Sequence, residues 1–126
     1  MDFRINGHAM TTGSISTGTL KLEDLIPAFT TEIKRLVSRS PDIVREAEAW
    51  IYAMKNNDPH TYLRDYDVSL GEGVSPKEAV EAIGPSVLHD LDYYLNQMAP
   101  DGIRFGALEG DGADLGWWES EEPEGL

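Results

Sequence analysis

Residues 103–118, IRFGALEGDGADLGWW, decide how this chain is put together. Ile103, Phe105 and Ala107 alternate along the chain, as a half-buried strand requires. Asp111-Gly112 has the chemistry of a tight type I′ turn, and Leu115, Trp117 and Trp118 make a return strand. A two-residue turn there sets Gly110 opposite Ala113, Leu108 opposite Leu115 and Gly106 opposite Trp117. A bare glycine can carry the ring of a facing tryptophan. The same register places Glu109 against Asp114, and like charges directly opposed are unfavourable. Either the loop is longer or a cation lies between them, and a local conflict of this kind tends to mark function.

Three readings of the stretch follow. The first is a structural hairpin whose rings cover helices while its acids face solvent. The second is a protein-binding edge. Successive strand residues point to opposite faces, so Trp117 and Trp118 cannot both be buried by one helix face. The outward ring, beside acids, would anchor a basic partner. The third is a divalent-metal site of Glu109, Asp111 and Asp114, although the spacing is not that of an EF-hand loop.

Upstream, the pattern changes from a period of two to a period of three and four. Leu22, Leu25, Ile26, Phe29, Ile33, Leu36 and Val37 share one face and predict a helix over 22–38. Thr19 or a residue near it is the cap, and Pro27 the expected kink or break. Ser40-Pro41 starts a second helix running to Asn56 with Ile43, Val44, Ala47, Trp50, Ile51 and Met54 inward. The two form an αα-hairpin. Pro59 can open a short helix through Tyr66. Ser75-Pro76-Lys77-Glu78 is a capping box. The helix it opens stops at Gly84-Pro85, where a fourth begins and runs to Met98; alternatively Gly84-Pro85 only kinks one longer helix. Ala99-Pro100-Asp101-Gly102 is a turn.

A lone hairpin is marginal in water and must lie on the helices. The expected fold is therefore α+β: three or four helices packed against a C-terminal antiparallel β-hairpin, which an N-terminal strand over 13–18 can join. The expected organisation is a flexible N-terminal arm over 1–18, one domain over 19–119 and an acidic disordered tail over 120–126. Met10 is a candidate alternative start, which would make the first nine residues dispensable.

The chain has 126 residues, 23 acids against 10 bases and a formal net charge of −13. Residues 1–60 hold eight acids and seven bases; residues 61–126 hold fifteen acids and only Arg64, Lys77 and Arg104. Such a field repels nucleic acid and attracts basic protein surfaces. A plain alternative is that the charge serves solubility. The chain has no cysteine, which rules out disulfides and thiolate metal sites and suits a reducing compartment. It has no apolar leader and no run approaching the ~20 residues of a membrane span. A cytoplasmic protein with no membrane association is expected.

Reaction chemistry is sparse. His8, His60 and His89 are scattered. His89 lies beside Asp90 and Asp92 on a helix, as a surface histidine or a general base would. Ser16, Ser75 and Ser86 sit in no nucleophile elbow. Gly71-Glu72-Gly73-Val74-Ser75 precedes a helix but lacks the phosphate-binding lysine. Tyr93 and Tyr94 suit a core edge and a surface better than a base-stacking platform amid so many acids.

Ser16-Thr17-Gly18-Thr19-Leu20 with Glu23-Asp24-Leu25-Ile26-Pro27-Ala28-Phe29, and Phe105-Gly106-Ala107 followed by Gly110-Asp111-Gly112-Ala113-Asp114-x-Gly116-x-Trp118, resemble a group of small acidic phage and bacterial proteins of unknown function. The shared patterns are S-T-x-T-L…E-D-L-I-P-A-F near the start and F-G-x-x-x-G-D-G-A-D-x-G-x-W near the end. They cover both ends and about a quarter of the chain. The resemblance implies no activity and transfers no catalytic role. It implies a gene carried on mobile elements. By association of class, it also implies an inhibitor of host defence of the anti-CRISPR or anti-restriction type.

The functional expectation is a non-enzymatic acidic protein, with no cofactor and no metal, that binds a basic, nucleic-acid-binding protein surface and not nucleic acid itself. Its contact residues would be Asp90, Asp92, Tyr94, Glu109, Asp111, Asp114, Trp117 and Trp118. Twelve net charges could imitate a short stretch of DNA, with its charge per ~1.7 Å of axis, if they line one face. The alternatives are a self-associating structural or regulatory protein, a homodimer through an exposed hairpin edge, and a small metal-dependent enzyme at Glu109, Asp111 and Asp114.

Overall fold

Asn6-Gly7 folds the chain back on itself almost at once. The computed structural model describes residues 1–120 and shows strands β1 (Asp2–Ile5) and β2 (His8–Thr11) paired antiparallel, with Ile5 opposite His8. Asn6 at φ 50° and Gly7 at φ 82° give the two left-handed residues that a type I′ turn needs. One face of this hairpin buries Ile5 and Met10 and lays Phe3 against Trp117, ring centroids 6.0 Å apart. The turn is tied down as well: Asn6 Nδ2 donates to the Leu36 carbonyl at 3.0 Å, at the end of the first helix. The flexible arm expected over 1–18 is thereby corrected. These residues form a hairpin and then a third strand, β3 (Gly13–Ser16).

Four helices follow: α1 (Leu22–Leu36), α2 (Asp42–Lys55), α3 (Pro59–Asp65) and α4 (Pro76–Met98). α1 runs through Pro27 without the local break, one of the two expectations there. The missing N–H frees only the carbonyl of Glu23, an exposed residue that water can reach. Thr19 does not cap α1 directly; its hydroxyl donates to Asp24 in the first turn at 2.7 Å. Asp58 caps α3 through Thr61, and Ser75 caps α4 through Glu78, as the capping box predicts.

α4 also runs through Gly84-Pro85, so of the two alternatives the single longer helix is the one observed. Gly84 is where the three long helices meet. A Cβ there would lie 2.7 Å from Leu22 Cδ1 and 2.9 Å from Trp50 Cζ2. The Trp50 ring occupies that space, and its Nε1 donates to the Val80 carbonyl at 2.9 Å. Glycine therefore serves close packing and not helix termination. The carbonyl that Pro85 leaves without a helical partner is that of Glu81, an exposed residue.

Strands β4 (Ile103–Leu108) and β5 (Asp111–Glu119) close the chain, in a three-stranded antiparallel sheet of order β3-β5-β4. The fold is α+β with the C-terminal hairpin on the helices, as expected. Ile103, Phe105, Leu115 and Trp117 face inward. Phe105 stands edge-on to Phe29 of α1 at 5.0 Å and to Trp117 at 4.9 Å, which joins sheet and helices into one core.

The register differs from the expected one. Leu108 pairs with Asp111, Ala107 with Leu115 and Gly106 with Gly116. The turn is Glu109-Gly110, with Gly110 at φ 87°, and Gly112, Ala113 and Asp114 bulge out of the ladder. Glu109 and Asp114 are therefore not opposed, and the expected charge conflict is absent. The bulge serves β3: Gly18 N–H donates to the Ala113 carbonyl at 3.1 Å, and the Ser14 hydroxyl donates to Asp114. Ser14 also pairs with Gly116, whose missing side chain lets β3 approach. Within the acidic tail expected over 120–126, residues 121–126 lie outside the described residues.

Candidate functional site

The residues expected to meet a partner fall into three environments. Asp90 is exposed on α4, and Tyr94, one turn on, is half-buried against the core. Asp92 lies on another side of the helix. Two residues turn an α-helix by ~200°, so Asp90 and Asp92 cannot share one face. Asp92 is half-buried on the rim of a groove between α4 and β4 that reaches Leu20, Phe29, Leu88 and Phe105. Burial pushes its carboxyl above the ordinary carboxylate range; His89, one turn back, and a hydrogen bond from Asn96 pull the other way.

Glu109 and Asp111 are exposed at the hairpin tip. Asp111 Oδ1 accepts the Ala113 N–H at 3.2 Å, a local turn bond that leaves its other oxygen outward. Asp114 is half-buried and engaged by Ser14, which makes it part of the β3–β5 junction. Among the described residues, no three His, Asp or Glu side chains gather into a set that could hold a metal ion, so the trio of the third reading, Glu109, Asp111 and Asp114, does not converge.

The two tryptophans separate as strand alternation requires. Trp118 faces outward and is half-buried, with Nε1 donating to the Gly106 carbonyl at 2.9 Å. It sits on an open shelf with Arg104, its direct cross-strand neighbour, and Glu109. Trp117 leaves only 1 % of its surface exposed and is withdrawn from the contact set.

Trp117 instead belongs to a buried polar cluster that the sequence reading missed. Its Nε1 donates to Glu32 Oε2 at 2.7 Å. Arg35 holds the same carboxylate with both prongs, Nε to Oε1 at 2.8 Å and Nη2 to Oε2 at 2.9 Å. The bond to Glu32 outweighs desolvation and keeps the Arg35 guanidinium firmly charged. The signal was present in the sequence: Leu25, Phe29, Glu32 and Leu36 are spaced four, three and four apart, so Glu32 interrupts an apolar seam.

Asn96 was missed too. Its side-chain oxygen accepts the Phe105 N–H at 3.0 Å, and its nitrogen donates to the Phe105 carbonyl at 2.9 Å. One amide thus stands in for a neighbouring strand, and the hairpin edge expected to be open is covered at that point.

All three cations of the second half are engaged locally: Arg64 with Asp65, Lys77 with Glu81, and Arg104 with the Ala107 carbonyl. Among the described residues, exposed Asp90, Asp101, Glu109 and Asp111 enter no ion pair. No described helix is long and apolar enough to cross a membrane. No family model, curated protein or solved structure matches the chain.

Proposed function

We propose that this is a non-enzymatic acidic protein that docks on a Lys/Arg-rich surface of another protein, one built to hold nucleic acid. The observation that carries the reading is the uncompensated charge: Asp90, Glu109 and Asp111 are exposed and enter no ion pair among the described residues, in a half of the chain that holds fifteen acids against three bases. Such a surface lowers the free energy of a cationic partner and speeds its approach. The contact set becomes Asp90, Glu109, Asp111 and Trp118, with Tyr94 and Asp114 as supports; Asp92, on another side of α4, stands on the groove rim instead. The finer reading, an inhibitor of host defence carried by a mobile element, rests on the resemblance of the two end motifs alone.

The test is a displacement assay. A fluorescent DNA duplex is bound to each of a panel of purified basic DNA-binding proteins, and the chain is titrated in. Release of the duplex is expected at low salt, and direct binding of the chain to the same protein should weaken as added salt screens the charge pairs. The combined variant Asp90→Lys, Glu109→Lys, Asp111→Lys should release none. Duplexes that stay bound at low salt under excess chain would remove the reading.

A further inference from the structure

The groove between α4 and β4 combines features that the charge alone does not explain. Its walls are apolar, from Leu25, Phe29, Leu88 and Phe105, and its volume is about 470 Å³. Leu20 stands at its lip with 65 % of its surface in solvent, the most exposed of the large apolar residues described. Asp92 stands on the rim, half-buried. Among the described residues it has no Lys or Arg partner, and His89 is the basic neighbour that acts on it.

We propose that this groove receives an apolar side chain from a Lys/Arg-rich segment of the docking partner, with the adjacent Lys or Arg meeting Asp92; the proposal rests on the reading of the chain as an acidic docking protein.

Charge complementarity selects the occupant. A carboxylate that has lost part of its water gains more from an arriving cation than a fully solvated one does. A second copy of a chain carrying −13 would bring like charge to the same rim, and an anionic membrane would be repelled. The mode of docking follows from Asn96. Because its amide already occupies the outward N–H and C=O of Phe105, an incoming strand cannot pair along β4 there. Side-chain insertion between helix and hairpin is left, with the exposed lip at Leu20 adding contact area.

The test uses the full-length ¹⁵N-labelled chain and a capped peptide, Gly-Lys-Leu-Arg-Gly, followed by amide chemical shifts. Saturable shifts are expected at Leu20, Leu88, Asp92 and Ala107. Replacing the peptide's Leu by Gly, or using the variants Leu20→Ser or Asp92→Asn, should weaken binding about fivefold or more. Gly-Glu-Leu-Glu-Gly should not bind. Shifts confined to Glu109 and Asp111 would overturn the groove while leaving acidic docking in place. Equal saturation by the acidic peptide would overturn the role of Asp92. Absence of any shift with the basic peptides would overturn the groove, while the docking reading beneath it stands or falls on the duplex displacement.

Discussion

Glu32 of α1 accepts the indole N–H of Trp117 of β5 at 2.7 Å, across 85 residues of sequence. The bond ties the first helix to the last strand and fixes which of two adjacent tryptophans points inward. A carboxylate this deeply placed is tolerable because three N–H groups, one from Trp117 and two from Arg35, reach its two oxygens. The N-terminal hairpin closes over the cluster: Arg35 Nη2 lies 3.4 Å from Met10 Sδ, and Phe3 rests on the Trp117 ring.

Glu32→Ala should therefore destabilise the fold by about 3 kcal/mol, because it leaves a buried indole N–H without an acceptor and removes packing. Arg35→Ala should cost less, about 1–2 kcal/mol. That side chain is 48 % exposed, and water can replace much of what it supplies. Urea unfolding followed by tryptophan fluorescence measures both. Equal losses for the two variants would show that Arg35, and not the indole, governs the cluster.

Gly116 and Gly112 make a second, internally controlled comparison. A Cβ at Gly116 would stand 2.1 Å from the Gly13 carbonyl oxygen and 2.7 Å from Ser14 Cα, both backbone atoms that cannot step aside. Gly116→Ala should push β3 off the sheet and cost about 3 kcal/mol or more. Gly112 has nothing within 4 Å. Gly112→Ala should be neutral or stabilising by about 0.5 kcal/mol through the unfolded chain. Thermal melts of the two proteins distinguish them. A Gly116→Ala melt matching the parent would mean that β3 is not held at this distance.

The sequence disclosed some of this architecture and hid the rest for identifiable reasons. Apolar periodicity located α1, α2 and the last helix, because burial on one face leaves its mark at every third or fourth residue. The capping box at Ser75 was legible because its two side chains bond locally. Gly84-Pro85 misled because a long-range contact, the Trp50 ring against Gly84, required the glycine that local rules read as a stop. The hairpin register slipped for a similar reason. Asp111-Gly112 carries the turn chemistry, yet the Ser14–Asp114 bond from β3 and the Gly18–Ala113 bond from just beyond it, about a hundred residues earlier, draw those residues into a bulge. The N-terminal hairpin was legible in principle from Asn6-Gly7 between Phe3, Ile5 and Met10, but the polar residues around it obscured the alternation. Asp92 was readable as an acid on a helix. Its place on the rim of an apolar groove depends on how β4 returns along α4, and no local pattern reports that.

Asn96 gives a prediction with a residue-specific readout. Asn96→Ala removes both bonds to the Phe105 backbone and uncovers the β4 edge. A loss of about 1–2 kcal/mol is expected. Hydrogen exchange at the Phe105 amide should accelerate more than the global loss accounts for, since its acceptor is gone. The freed edge should also raise the tendency to self-associate with concentration. Phe105 exchange unchanged apart from the global effect would mean that the amide pair is not formed in solution.

The pH dependence of Asp92 has a definite sign. Burial raises the folded carboxyl above its unfolded value. Between those two values the folded chain holds a proton that the unfolded chain has lost, so this group's contribution to stability falls as pH rises through the window. Above the window the cost of the buried charge is constant; below the ordinary carboxylate range it vanishes, because both states are protonated. Asp92→Asn should therefore melt at a higher temperature than the parent at neutral pH, and the gap should close on acidification. His89, one turn back, opposes the upward shift and so limits the gap. Differential scanning calorimetry across the acid range reads all of these melts. A gap independent of pH would assign the gain to altered packing and free Asp92 of any desolvation cost. The same Asp92→Asn substitution is expected to weaken the basic peptide in the groove, so one residue would trade stability against binding, as a site shaped for an incoming cation should.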